Sequence, residues 1–121
     1  MLVLPDVERS NPLRQDILRL AEEKGVETLL LTERTDLTLG DGSLTVYPPL
    51  GGGETNEEGL SVLCTAGEFD ALITGDMDQV IEGRLIKYGD LPDIEVLVAG
   101  HHGSKYSTSE KLLLAVRPEL A

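Results

Sequence analysis

Apolar residues fall along this chain in short runs and periodic sets separated by polar, glycine-rich punctuation, and that pattern predicts its elements. Residues 1–5 are a short apolar stretch that reads as a strand, followed by a polar loop over 6–10. Asn11 can cap a helix and Pro12 suits its first position. Leu13, Ile17, Leu20 and Ala21 then recur at helical spacing along one face until Gly25 stops the helix. Residues 26–32 read as a buried strand. The alternation of Leu37 and Leu39 with Leu44 and Val46 about Gly40-Asp41-Gly42 predicts a hairpin, ended by Tyr47-Pro48-Pro49.

Residues 50–59 contain Gly51-Gly52-Gly53 and three glutamates, too polar and too glycine-rich for an element, and read as a mobile surface loop. Two strands follow over 60–65 and 69–74, joined through Ala66-Gly67-Glu68. Gly75-Asp76-Met77 leads into a helix carrying Val80, Ile81, Leu85 and Ile86. Residues 94–99 form a β-branched run that stops abruptly at Gly100-His101-His102-Gly103-Ser104. Ser107-Thr108-Ser109-Glu110 has the form of a capping box, and Leu112, Leu113 and Val116 give the last helix an apolar side before Pro118. The predicted order is β-α-β-β-β-β-β-α-β-α, an α/β arrangement over residues 1–121 with no internal repeat and no interdomain linker.

Composition narrows the class. A chain of 121 residues fits one domain or a piece of a larger one, and with 40% apolar residues and only three Tyr and one Phe the core rests on Leu, Val, Ile and Ala. No apolar run approaches the roughly 20 residues that cross a bilayer, and the N-terminus lacks the basic start and cleavage site of a signal peptide, so the chain as given is expected to be soluble. Cys64 stands alone, which excludes a disulfide framework and a cysteine-rich zinc site. Lying in an apolar strand, it reads as an inert core residue.

Charge bears on partners. There are 22 acids against 10 Lys and Arg, a formal net charge of −12, divided as −4 over residues 1–50, −9 over 51–100 and +1 over 101–121. The overall field opposes a general DNA-binding module. The acidity is either a solubilising surface or a set lying near bound cations, which would invert its sign locally.

Candidate chemistry sits where polar residues directly follow buried strands: Thr74-Gly75-Asp76 and Gly100-His101-His102-Gly103-Ser104. Ligands in open α/β sheets sit at such strand ends, and if both strands run the same way the two motifs share an edge. Asp76 could bridge cations and a neutral imidazole of His101 or His102 could ligate zinc or manganese. On an extended segment the two histidines would point in different directions, one to a metal and the other to a phosphate or a proton transfer. Ser104, Lys105 and Ser107 add a cation and two hydroxyls suited to holding a phosphate. The plainer alternatives are that Asp76 caps the helix, with Asp78 competing for that role, and that the histidines decorate a surface loop. Gly51-Gly52-Gly53 has no lysine at the spacing of a phosphate-binding loop.

Taken jointly, Asn56, Leu60-Ser61-Val62-Leu63, residues 69–74, Gly75-Asp76, residues 96–99, Gly100-His101-His102-Gly103-Ser104-Lys105 and Ser107 resemble the metallo-β-lactamase-type domain at the C-terminal end of ComEC competence proteins. The resemblance spans roughly residues 56–118. It implies that Asp76 is a metal ligand and that His101 or His102 closes the metal site, with catalytic roles shared between the histidines. It also implies a metal-dependent phosphodiesterase that degrades one DNA strand while the other passes through a membrane channel of the same polypeptide, on the extracytoplasmic face of a bacterial membrane. A two-metal site of zinc or manganese would activate water and stabilise the leaving oxygen.

This sequence departs from the family at two points. Gly59 stands where a serine is usual. More seriously, the His-x-His-x-Asp-His motif that supplies most metal ligands is absent, since the only two histidines are adjacent. The expectation is therefore a C-terminal portion of an αββα sandwich, truncated, inactive by itself, weak in metal binding and prone to form a homodimer over the sheet face the missing half would cover. Rival readings are another phosphodiesterase of the same fold, such as a phosphorylcholine esterase, and a non-catalytic acidic α/β binding module.

Overall fold

The computed structural model describes residues 1–7, 11–51 and 55–121. Its elements follow the predicted order: β1 (Leu2–Pro5), α1 (Pro12–Glu23), β2 (Thr28–Leu31), β3 (Thr35–Leu39), β4 (Gly42–Tyr47), β5 (Ser61–Ala66), β6 (Phe69–Ile73), α2 (Gln79–Tyr88), β7 (Val96–Val98) and α3 (Glu110–Val116). Two sheets result, and the class is mixed α/β. β1 and β2 pair in parallel, Leu2 with Thr28 through Pro5 with Leu31, with α1 as their crossover. The other five strands form one sheet in the order β3-β4-β5-β6-β7, antiparallel except for the last pair.

Local signals explain most boundaries. Asn11 Oδ1 accepts from the Leu13 N–H at 2.9 Å and Pro12 opens α1. Gly40 at φ 59° lets the β3–β4 hairpin reverse, and Gly67 at φ 64° does the same between β5 and β6. The 50–59 segment is not wholly irregular: a 3₁₀ turn covers Asn56–Glu58, and Arg84 on α2 donates to the Leu50 carbonyl at 2.7 Å. Gly52, Gly53 and Glu54 lie outside the described residues.

The core lies between the five-stranded sheet and helices α2 and α3. Register sets Leu63, Leu72 and Leu97 in one row across β5, β6 and β7, and Met77, Ile81, Leu85, Leu112 and Val116 pack on that face. The opposite face is different. Val62, Cys64 and Ala71 are half-buried there, and Ile73 and Val98 are 39% and 47% exposed. Cys64 is thus on the open face and not in the core where its apolar neighbours placed it, because strand alternation puts it opposite Leu63. The apolar stripe of α1 is likewise largely uncovered: Ala21 is buried, while Leu13 is 65% exposed. Beyond α3, Leu120 bridges to Val96 in parallel, so the chain continues the sheet at the free edge of β7. No helix among the described residues is long and apolar enough to cross a membrane.

Two measurements test this architecture. Leu72 is fully buried at the middle of the row, so Leu72→Ala should cost roughly 2–5 kcal/mol in urea denaturation, and a loss well below 1 kcal/mol would place the core elsewhere. The Thr45 hydroxyl donates to Asp36 Oδ1 at 2.6 Å and, against a smaller effect of desolvation and with help from Arg34, holds that carboxyl below its ordinary range. A lowered folded value means stability that is full above the ordinary value of 3.8 and is lost as pH falls through the folded one. Thr45→Val should therefore flatten the acid limb of stability below about pH 4 by a small amount, since Asp36 is exposed; an unchanged limb would reject the coupling.

Candidate functional site

Because β6 and β7 are adjacent and parallel, the segments that leave them emerge at the same sheet edge, as the two polar motifs require. They meet there. The His101 N–H donates to the Gly75 carbonyl at 2.9 Å. Gly75 has φ 62°, which allows the chain to reverse after the buried Thr74 and to send Met77 into the core.

Asp78, not Asp76, is the cap of α2. Its Oδ1 accepts from the N–H groups of both Val80 and Ile81 at 2.9 Å. Asp76 is left half-buried, lining a groove of about 540 Å³, with no hydrogen bond or ion pair to the described residues. Leu4, Pro5, Leu13 and Ile17 form one wall of that groove, and Asn56 and Leu60 belong to the other. The first two elements, β1 and α1, therefore line the groove that Asp76 shares.

The histidine segment is not extended. His101 (φ 49°, ψ 46°), His102 (φ 55°, ψ 33°) and Gly103 (φ 79°) are three consecutive positive-φ residues, a conformation that costs non-glycine residues roughly 1–2 kcal/mol each. Both imidazoles are exposed, their centroids 6.4 Å apart and their planes at 74°. Gly100 is buried behind them. A Cβ there would stand 3.1 Å from Thr74 Oγ1 and 3.2 Å from Ser107 Cβ, so the absence of a side chain lets the two motifs close on each other.

Of the three residues expected to hold a phosphate, Lys105 is exposed, its Nζ 4.9 Å above the Tyr106 ring. Ser104 is half-buried, its Oγ accepting from the Tyr106 N–H at 3.3 Å. Ser107 is buried, its hydroxyl turned inward without a partner among the described residues, unlike the other two. The cap of α3 also differs from the expected box. Ser109 is the cap, its Oγ accepting from Leu112 N–H at 3.3 Å, and no glutamate stands three positions on. The carboxylate that serves this helix end is Glu82 of α2, which lies 27 residues away and has no signature in local spacing.

Among the described residues no three His, Cys, Asp or Glu side chains gather closely enough to hold a metal ion. Asp76 and the histidine pair share an edge but are not a complete metal site.

No family model matches the chain. It is 30% identical over 124 residues to ComE operon protein 3 of Bacillus subtilis, covering 99% of this chain and 16% of that protein. It is 42% identical over 66 residues to Recombination protein 2 of Haemophilus influenzae, covering 54% of this chain and 8% of that protein. Competence protein ComA of Neisseria gonorrhoeae is 42% identical over 69 residues, covering 56% of this chain and 10% of that protein. The homologues of this chain are competence proteins. It spans about a sixth or less of their length.

The two aspartates should separate in a stability assay. Asp78→Ala removes a cap and should cost roughly 0.5–2 kcal/mol, whereas Asp76→Asn should stay within about 0.5 kcal/mol of the parent. An equal loss at both positions in thermal or urea denaturation would mark Asp76 as a structural turn residue.

Proposed function

We propose that this chain is the C-terminal part of a metallo-β-lactamase-type domain in a competence protein, and that the complete domain is a metal-dependent phosphodiesterase degrading one DNA strand during uptake. The observation that carries the reading is the parallel pairing of β6 with β7, which brings the segments holding Asp76 and the His101-His102 pair to one edge, where the His101 N–H donates to the Gly75 carbonyl at 2.9 Å. Support for the biological setting comes from the names of the homologues, and support for a larger parent from the small fraction of their length that this chain spans. The parent is read as a membrane protein whose channel region passes the surviving strand, with this domain on the extracytoplasmic face.

In this reading Asp76 and one of His101 and His102 are the chain's contribution to a divalent-metal site, and the other histidine exchanges protons with the reacting groups. Among the described residues these groups do not complete a zinc or manganese site, and in this reading the complete protein supplies the remaining ligands. Lys105 supplies a positive charge toward a phosphodiester, and Ser104 a hydroxyl beside it. The field there favours the approach of DNA more than elsewhere, since residues 101–121 carry +1 in a chain of −12. The half-buried setting of Asp76 beside an apolar groove leaves a protected place for the reacting group.

The test uses the complete competence protein. Asp76→Asn and the double change His101→Asn with His102→Asn should each lower bound zinc or manganese, measured by elemental analysis, and cut the rate of strand degradation at least 100-fold. Intact DNA together with hydrolysis of another phosphodiester would favour a different esterase of the same fold. Unchanged metal content and unchanged degradation in both variants would leave the non-catalytic binding module as the better reading.

A further inference from the structure

Glu82 is a fully buried acid in the first turns of α2. An ionised carboxylate that is buried needs donors around it or it costs several kcal/mol. It has two, both from backbone 26 and 27 residues away: Thr108 N–H reaches Oε1 at 2.5 Å and Ser109 N–H reaches Oε2 at 2.8 Å. Ser109 caps α3, and in a capping box its own N–H would be taken by a glutamate on the same helix. Here Glu82 takes that N–H from the neighbouring helix.

Of the two donors, Thr108 matters more for the site. Thr108 is a β-branched residue at φ 55°, an outlying conformation that the surroundings must impose. In that conformation its Oγ1 accepts from the Gly100 N–H at 3.0 Å, immediately before the two left-handed histidines. The same helix end also binds the segment through the Gln79 N–H, which donates to the Tyr106 carbonyl at 2.9 Å. A continuous hydrogen-bonded path thus runs from Glu82 to Thr108 to Gly100, and from His101 across to Gly75.

We infer that Glu82 is a positioning residue for the histidine turn, acting through Thr108 and Gly100 to fix His101 and His102 against Gly75-Asp76. The consequence for hydrolysis rests on the function proposed above; the positioning itself does not. Glu82 touches no solvent and so has no direct part in the chemistry.

The chain contains only two histidines, so their imidazole resonances report on the turn without ambiguity. Glu82→Gln replaces one acceptor oxygen by a donor facing a backbone N–H. In the 121-residue chain it should speed amide hydrogen exchange at Thr108, Ser109 and Gly100 about tenfold or more and shift the resonances of both histidines, while amides of β3, β4 and β5 stay in place. Thr108→Ala keeps the N–H that Glu82 binds and deletes the hydroxyl together with the γ-methyl group. It should speed exchange at Gly100 and shift the histidines, with Ser109 unaffected, and it carries the test if the Glu82 variant does not fold. Histidine resonances matching the parent in folded Thr108→Ala would overturn the inference and reduce Glu82 to a cap of α3. In the complete competence protein, Glu82→Gln should lower kcat with KM retained. If Asp76→Asn leaves degradation intact while the histidine shifts occur as expected, the proposed function fails and the positioning role stands.

Discussion

Three residue pairs between β6 and β7, Ala71 with Val96, Leu72 with Leu97 and Ile73 with Val98, decide whether this chain has a site at all. Had the two strands paired antiparallel, the Gly-Asp turn and the histidine turn would have left the sheet at opposite ends, about 10 Å apart for strands this short. Parallel pairing needs a crossover, and α2 provides it. Met77, Ile81 and Leu85 hold that crossover on the Leu63-Leu72-Leu97 row, so the packing of the core and the meeting of the two motifs are one constraint. Asp78 and Glu82 then project from the helix that the constraint has fixed, the first to start α2 and the second to fasten the segment beyond the histidines.

In the histidine turn three backbone N–H groups are engaged while both imidazoles stay exposed. Two left-handed histidines are unfavourable alone, and such strain persists where the surroundings over-determine it. Here they are bracketed by the Gly100 N–H bond to Thr108, the His101 N–H bond to Gly75 and the Ser104 N–H bond to the His101 carbonyl at 3.1 Å. The imidazoles take no part in this scaffold and remain exposed. A pinned main chain presenting exposed imidazoles at the edge that also carries Asp76 suits a site whose geometry matters more than its bulk.

Period and punctuation made the elements legible: Leu13-Ile17-Leu20-Ala21 for α1, alternation for β3 and β4, Gly67 and Gly40 for the turns. The shared edge was legible as a condition on strand direction, which only the sheet could meet. What escaped was everything set by contacts distant in sequence. Alternation told which residues share a face with Cys64 but not which face would be covered. Ser107 and Ser104 look alike in a polar run, yet one turns inward beside Gly100. The form Ser-x-x-Glu pointed to Ser107 and Glu110, while the operative cap joins Ser109 to a glutamate on another helix, an arrangement with no signature in local spacing. The apolar face of α1 was read correctly from its period, but period does not reveal whether anything covers it.

Acidity also takes a sharper meaning once each carboxylate is located. Of the eleven acids over residues 51–100, six are tied into the fold among the described residues. Asp70 accepts from the Thr65 hydroxyl at 2.5 Å, Glu95 accepts from the Asp70 N–H at 2.5 Å, and Asp93 pairs with Arg117. Asp78 caps α2, Glu82 fastens the loop before α3, and Glu58 lies 3.8 Å from Arg84. Each of these acids completes a hydrogen bond or ion pair on which the fold draws. Asp76 is different. It lies in the same acidic stretch, half-buried, at the edge where the histidines emerge, and no described residue engages its carboxylate. A half-buried acid that stabilises nothing within its own fold is costly to retain for structure alone, and among the described residues of this stretch Asp76 is the half-buried carboxylate without a hydrogen bond or ion pair, while Glu68 and Asp90, also unengaged, are exposed to solvent.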